Sequence, residues 1–420
     1  MNQTQDLLLV GQLQASAMED FSACCENPFQ GLKKVSRIEK LYLEREIRKL
    51  MERCFKKLEP WKDKDPQELS VEEQAQVEFI FREILLELDR KKLFFDRPFL
   101  TLFLEKGYLD TTKGFFRAAR AHDPQFQFMD LFQAMRNVWI MNSLQLLFDL
   151  PVQLTPSVFS YSMLYPYTDN YLDDPTISSA AKRRFNQRLE QVLQGNPVEE
   201  VTPEEDKIFQ MVRNIEEEFS RIRFPEVYDS LLLIQDAQSA SMAQDSQSKL
   251  SPQLSLPISF YKGGSSVLAD AFLVKGELTE TEMDFTFGYG CFLQLLDDLQ
   301  DVESDRKDGH WTLFSHKNEE AIFDQEVLKL LCFIQKVMTK HHLGYAEEAL
   351  MKDVIAQCTR MMVMEVIGRN PQLVSENLYD HLESYSKVRL SFYKEFREKA
   401  ESYFQPSGLL KPVAEPQLIL

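Results

Sequence analysis

Aspartates at helical spacing are the residues of this chain best suited to do chemistry. Asp297, Asp301 and Asp305 recur every four residues, so on a helix their carboxylates line one stripe. Extended backwards, that stripe meets Leu293, Tyr289 and Gly290. One face therefore runs from apolar and small residues into carboxylates, the shape needed by a ligand with a greasy tail and a charged head. A second set, Asp169 and Asp173, is also four apart, about 6 Å along a helix axis. Asp174 follows one position further round, and Pro175 marks the end of the segment. Like charges at this spacing repel. Three aspartates in the last turns of a helix also sit at its negative end, where cations are favoured. Both penalties are offset if a divalent metal occupies the site. Mg²⁺ suits it, because it takes one or two carboxylates and fills its other positions with water and substrate phosphate oxygens. Taken singly, each motif is equally well read as a solvated acidic face.

Helices must position these groups. Apolar residues recur at three- and four-residue steps from Ile38 to Phe55. A second run follows the capping-box pattern Ser70-Val-Glu-Glu and reaches about Leu93. Further runs cover about 126–149, 176–194, 203–221, 226–246, 257–275, 279–304, 319–341, 344–367 and 374–403. Pro151, Pro156, Pro166, Pro175, Pro197, Pro203, Pro225, Pro252 and Pro257 are expected between runs or at their starts. No alternating strand pattern competes. The expected architecture is all-α: an N-terminal arm over 1–34, one helical domain over 35–404 and a Pro-broken tail over 405–420. The stretch 238–257 is the most linker-like in the interior.

Composition agrees with this reading. Only 14 of 420 residues are Gly, which disfavours a sheet fold with many tight turns. The 31 Phe and 14 Tyr exceed what a plain bundle requires and hint at a pocket for an apolar ligand. A net charge of −18 makes nucleic acid or an anionic membrane a poor partner for the chain as a whole. Bound cations would still admit an anionic substrate. The six cysteines show no metal-type spacing, and the adjacent pair Cys24–Cys25 is unlike a secreted disulfide framework. Without a signal-peptide pattern or a membrane-length apolar run, a cytoplasmic protein is expected.

The second motif, Asp297-Asp-Leu-Gln-Asp301 with Gly288 and Gln294 before it and Lys307-Asp-Gly-His-Trp-Thr after it, resembles the second aspartate-rich motif of class I isoprenoid synthases. The segment Thr168 to Asp174 departs from the DDxxD form. It looks more like the aspartate motifs of squalene synthases and of the bacterial large-terpene (tetraprenyl-β-curcumene) synthases. Tyr261-Lys-Gly-Gly-Ser-Ser266 is similar to the Lys-containing helix segment that meets the diphosphate in such enzymes. The resemblance covers about 130–405 and implies a single large bundle of the isoprenoid synthase type with a central cavity.

What the resemblance implies is a Mg²⁺-dependent terpene synthase that ionises one long prenyl diphosphate. Asp169 and Asp173 would hold one side of a metal cluster, with Asp297, Asp301 and Asp305 on the other. Asp174 and Asp298 would stand behind them as supporting partners. Lys262 leads the cationic groups for the diphosphate. Arg136 and Asn137 are polar groups in a run that reads as buried, where an Arg needs an anion, either diphosphate or an acidic side chain. Arg306, Lys307 and Arg389 complete the set. Tyr161, Tyr165, Tyr289 and Phe292 would line the cavity and face a carbocation, although aromatics at helical spacing are more often plain core. No membrane span is implied, only transient membrane contact during product release. Two other readings stand beside this one: a prenyltransferase joining two prenyl diphosphates, and a non-catalytic helical scaffold.

Overall fold

The computed structural model describes residues 3–25, 27–62, 64, 70–96, 98–124, 126, 128–173, 176–199, 202–245, 251–316 and 321–404. Among these residues the regular elements are helices and no strand occurs, so the fold is all-α. In chain order the helices are α1 (Gln3–Ser22), α2 (Arg37–Leu58), α3 (Val71–Arg90), α4 (Leu100–Glu105), α5 (Tyr108–His122), α6 (Phe128–Leu147), α7 (Pro156–Asp173), α8 (Ser179–Leu193) and α9 (Pro203–Glu218). There follow α10 (Pro225–Ser241), α11 (Pro252–Lys275), α12 (Glu280–Gln300), α13 (Val302–Asp308), α14 (Asp324–Lys340), α15 (Glu348–Arg369), α16 (Glu376–Tyr385) and α17 (Leu390–Phe404). Two compact units emerge. Unit 1 is Met1–Cys25, Leu104–His316 and Cys332–Asp353; unit 2 is Glu26–Phe103, Lys317–Leu331 and Val354–Leu420. The single stretch expected over 35–404 is distributed over both. The expected tail, 405–420, lies outside the described residues.

Unit 1 is organised on the antiparallel pair α11 and α12. Both helices are buried on nearly every side, by Phe260, Leu268, Phe272 and Leu273 on one and Phe285, Phe287, Phe292 and Leu295 on the other. Such all-round burial marks a central helix, whereas α8 and α9 bury one stripe each. The pair crosses at glycines. A Cβ at Gly290 would lie 1.9 Å from the Gly263 carbonyl oxygen, and one at Gly263 would lie 2.5 Å from the Gly290 oxygen. Around this pair, α10, α6, α7 and α1 pack on α11, α1 also packs on α12, and α6 packs on α7.

Residues 3–22, expected as part of an irregular arm, form α1. Val10, Leu13, Ala17 and Phe21 are buried along one face, with Phe21 edge-on to Phe260 and Phe333. The spacing was helical, but small Ala17 and the polar residues between diluted the pattern. Two prolines expected as punctuation, Pro166 and Pro257, sit inside α7 and α11. Each removes one helical N–H donor, and surrounding packing carries the helix through. The carbonyl of Pro257 accepts from Gln14 Nε2 at 2.7 Å. Elsewhere the local signals act as expected. Ser70 and Glu73 close a capping box on α3, and Pro156, Pro203, Pro225 and Pro252 open their helices.

In unit 2, α2 packs on α3 and buries Leu43, Ile47, Leu50, Met51, Cys54 and Leu58. Glu44, fully buried on α2, accepts from the Arg389 guanidinium at 2.6 and 2.9 Å and from its backbone N–H at 2.9 Å. No described helix is long and apolar enough to cross a membrane. All six cysteines are unbridged.

Candidate functional site

Asp297 lies in the last turn of α12, Asp301 is the junction residue, and Asp305 lies in α13. The three were expected at the end of one helix. Instead the backbone bends at Asp301 (φ −97°, ψ 12°) and a short helix restarts. Helical hydrogen bonding persists across the bend, with Asp301 N–H to Asp297 O at 2.9 Å and Asp305 N–H to Asp301 O at 2.8 Å. The carboxylates thus remain one turn apart on a common line. The dipole argument changes accordingly: Asp297 and Asp301 lie at the C-terminal end of α12, while Asp305 is in the first turn of α13, where an anion is favoured.

Asp298 points the other way. It is 4 % exposed and accepts from Ser259 Oγ and Gln294 Nε2, both at 2.8 Å. Burial pushes its carboxyl up to about 6, against those two hydrogen bonds and the nearby charge of Lys262. Ser259 also accepts from Gln244, which is hydrogen-bonded in both directions with the backbone of Trp311. The expected linker over 238–257 therefore carries Gln244, a residue that ties the loop after the second motif to α11. Lys262 stands one turn beyond Ser259, half-buried, on the same helix.

Arg136 of α6 reaches Asp297 at 3.8 Å, their side chains 41 % and 40 % exposed. The structure thus brings together two residues expected in the site from far apart in the chain. Arg136 was expected to be buried, but α6 turns Leu131, Ala134, Met135 and Val138 inward and leaves position 136 half-exposed. A pair this long and this solvated contributes about 1 kcal/mol at most. It stays accessible to a competing anion.

The next residue, Asn137, donates to Ser162 Oγ of α7 and to Asp270 Oδ1 of α11, both at 3.2 Å. Asp169 and Asp173 occupy positions about two and three turns beyond Ser162 on the same face of α7. Adjacent residues of α6 therefore address the two motif helices. The side chains of Asp169, Asp173 and Tyr165 are not among those described, and Asp174 lies outside the described residues. Within the same segment, Tyr167 donates to Asp123 Oδ2 at 3.1 Å and Tyr171 packs on Phe185.

Asp270 is a site that the sequence reading missed. It is fully buried, and its Oδ2 has no hydrogen-bond partner. A lone carboxylate in the apolar run Val267 to Phe272 was the available signal. Burial holds its carboxyl well above the usual carboxylate range, opposed by the Asn137 hydrogen bond. The folded chain therefore keeps a proton here that the unfolded chain releases above about pH 4, so stability falls as pH rises from there towards the folded value. Asp270→Asn is expected to remove that dependence. Its thermal midpoint relative to wild type should climb between pH 5 and pH 8, whereas parallel curves would sink this account.

Of the remaining cations, half-buried Arg306 and exposed Lys307 lie in the last turn of α13 beside Asp305. Arg389 belongs to a structural ion pair: its guanidinium is engaged by buried Glu44, which removes it from the diphosphate set. Tyr161, Tyr289 and Phe292 are buried, with Tyr289 and Phe292 packed at 5.1 Å between ring centroids.

The donor chemistry on the α12–α13 line suits a hard cation: oxygen only, carboxylates on successive turns, and partial exposure that leaves room for water and phosphate. Among the described residues no group of three His, Cys, Asp or Glu is gathered closely enough to hold a metal ion alone. Comparisons with protein-family models, curated proteins and solved structures return no match to this chain.

Proposed function

We propose that the chain is a Mg²⁺-dependent class I isoprenoid synthase, with unit 1 a bundle of that type around an apolar cavity, and that it ionises one long prenyl diphosphate. One observation carries the reading. Arg136 meets Asp297 of the second motif, while its neighbour Asn137 meets the α7 face on which positions 169 and 173 lie. A single helix thus links two carboxylate sets remote in sequence, beside Lys262.

In this reading Asp297, Asp301 and Asp305 hold the metal on one side, and Asp169 and Asp173 hold it on the other. Mg²⁺, when bound, neutralises charge developing on the departing diphosphate. The chain's own groups do the rest. Lys262 and Arg136 supply fixed positive charge to diphosphate oxygens, and Arg136 gives up its loose contact with Asp297 as it does so. Asp298, held by Ser259 and Gln294, keeps the last turn of α12 in register. Aromatic rings of α7 and α12, among them Tyr161, Tyr289 and Phe292, would face the allylic carbocation.

The test is to incubate the purified chain with prenyl diphosphates from farnesyl to heptaprenyl and Mg²⁺, and to measure diphosphate release and product mass. Release that falls about 100-fold or more on chelating the metal is expected. A folded chain that releases nothing from any of them leaves the scaffold reading standing. A product containing two prenyl chains would assign the chain to coupling.

A further inference from the structure

The charge of −18 is unevenly divided. Unit 2 holds 27 Lys and Arg against 28 Asp and Glu, so nearly all the excess acid belongs to unit 1. Within unit 2, α2 carries eight basic residues against four acidic ones, and Lys33 and Lys34 precede it. Its acids are largely taken. Glu44 is buried with Arg389, Glu46 is held by Lys49 and Lys91, Glu39 lies near Lys33, and only Glu52, paired with Lys399, is well exposed. Arg37, Arg45, Lys56 and Lys57 are exposed.

The first turns of the same helix present apolar side chains to solvent: Ile38 at 83 %, Leu41 at 44 % and Tyr42 at 60 % exposure. Positions 38, 41 and 42 share one face, and Arg45, Lys49 and Lys56 continue it, with Glu52 the one acid among them. The opposite face is the buried one, from Leu43 to Leu58. A helix seated by one face, with apolar tips and then cations on the other, has the pattern of an interfacial helix.

We propose that the outward face of α2 docks reversibly on an anionic lipid bilayer, with Ile38, Leu41 and Tyr42 entering the headgroup boundary and Arg37, Arg45 and the flanking lysines meeting lipid phosphates. Three clustered apolar tips favour a bilayer over nucleic acid, which offers them nothing to enter. The excess cations favour anionic over neutral lipid. This assignment does not depend on the reaction catalysed in unit 1.

Co-sedimentation of the full chain with sucrose-loaded vesicles tests it. Binding to vesicles containing about 30 % phosphatidylserine should exceed binding to pure phosphatidylcholine about tenfold, and should fall steeply as salt rises from about 0.1 to about 0.5 M. Ile38→Ser with Leu41→Ser, and separately Arg37→Gln with Arg45→Gln, should each reduce the bound fraction about tenfold with an unchanged thermal midpoint. Equal binding to both vesicle types, or variants that bind like wild type, overturns the proposal. A dimer in sedimentation velocity that Ile38→Ser dissociates, without any vesicle binding, overturns it in favour of a second copy of the chain.

Discussion

Gly290→Ala is expected to destabilise the protein by about 3 kcal/mol or more, lowering the melting of unit 1 by about 6 °C or more. Alanine is ordinarily the better helix residue, by about 1 kcal/mol over glycine. Here its methyl would lie 1.9 Å from the carbonyl oxygen of Gly263 and 3.0 Å from the Cα of Gly264. Both are backbone atoms of α11, so no side chain can swing aside and the two central helices must part. Parting them loosens Phe260, Phe287 and Phe292, all fully buried near the crossing. Gly11→Ala is the matching control. It lies in α1 with nothing within 4 Å of the added carbon, so the ordinary helical gain of about 0.5–1 kcal/mol should appear. Equal midpoints for Gly290→Ala and wild type would mean that α11 and α12 do not cross at these glycines.

Asp301→Asn should lower diphosphate release about 1000-fold while leaving the circular dichroism and thermal midpoint near those of wild type. The amide keeps the size of the carboxylate. Asp301 makes no side-chain capping hydrogen bond to α13, so the cap itself should not need the charge. At the proposed magnesium site, by contrast, removing one charged oxygen donor would weaken the hold on both metal and diphosphate. Asp297→Asn should act similarly and should also release Arg136. Turnover unchanged in both variants, with substrate still ionised, would move the reaction away from the α12–α13 line.

Much of the helical fold could be read from residue spacing alone, and the failures have physical causes. The Ser70–Glu73 capping box and the opening prolines are local devices whose partners lie within four residues, so sequence suffices to find them. The glycines at 263, 264 and 290 were visible, but their role as a crossing depends on two helices meeting, which no single-chain periodicity encodes. The breadth of Arg136's exposure and the identity of its partner are equally tertiary facts. Asp301 reads as mid-stripe at four-residue spacing, and the bend there is silent because the i to i+4 hydrogen bonds continue through it. Pro166 and Pro257 misled for the opposite reason: a strong local signal was overruled by the helices that continue through both positions. Arg389 could be recognised as a committed ion pair only once Glu44 was seen to be buried beside it.

The contact between Gly263 and Gly290 also acts as the zero mark of a ruler. From it, Ser259 counts one turn back along α11 and Asp298 counts eight residues forward along α12, and the two meet. An extra residue in the turn at 276–279 leaves that count intact. The same residue added between positions 290 and 297 would swing every later aspartate by about 100° around the helix axis. Length changes are thus tolerable on one side of the mark and ruinous on the other, although both places lie in the same hairpin.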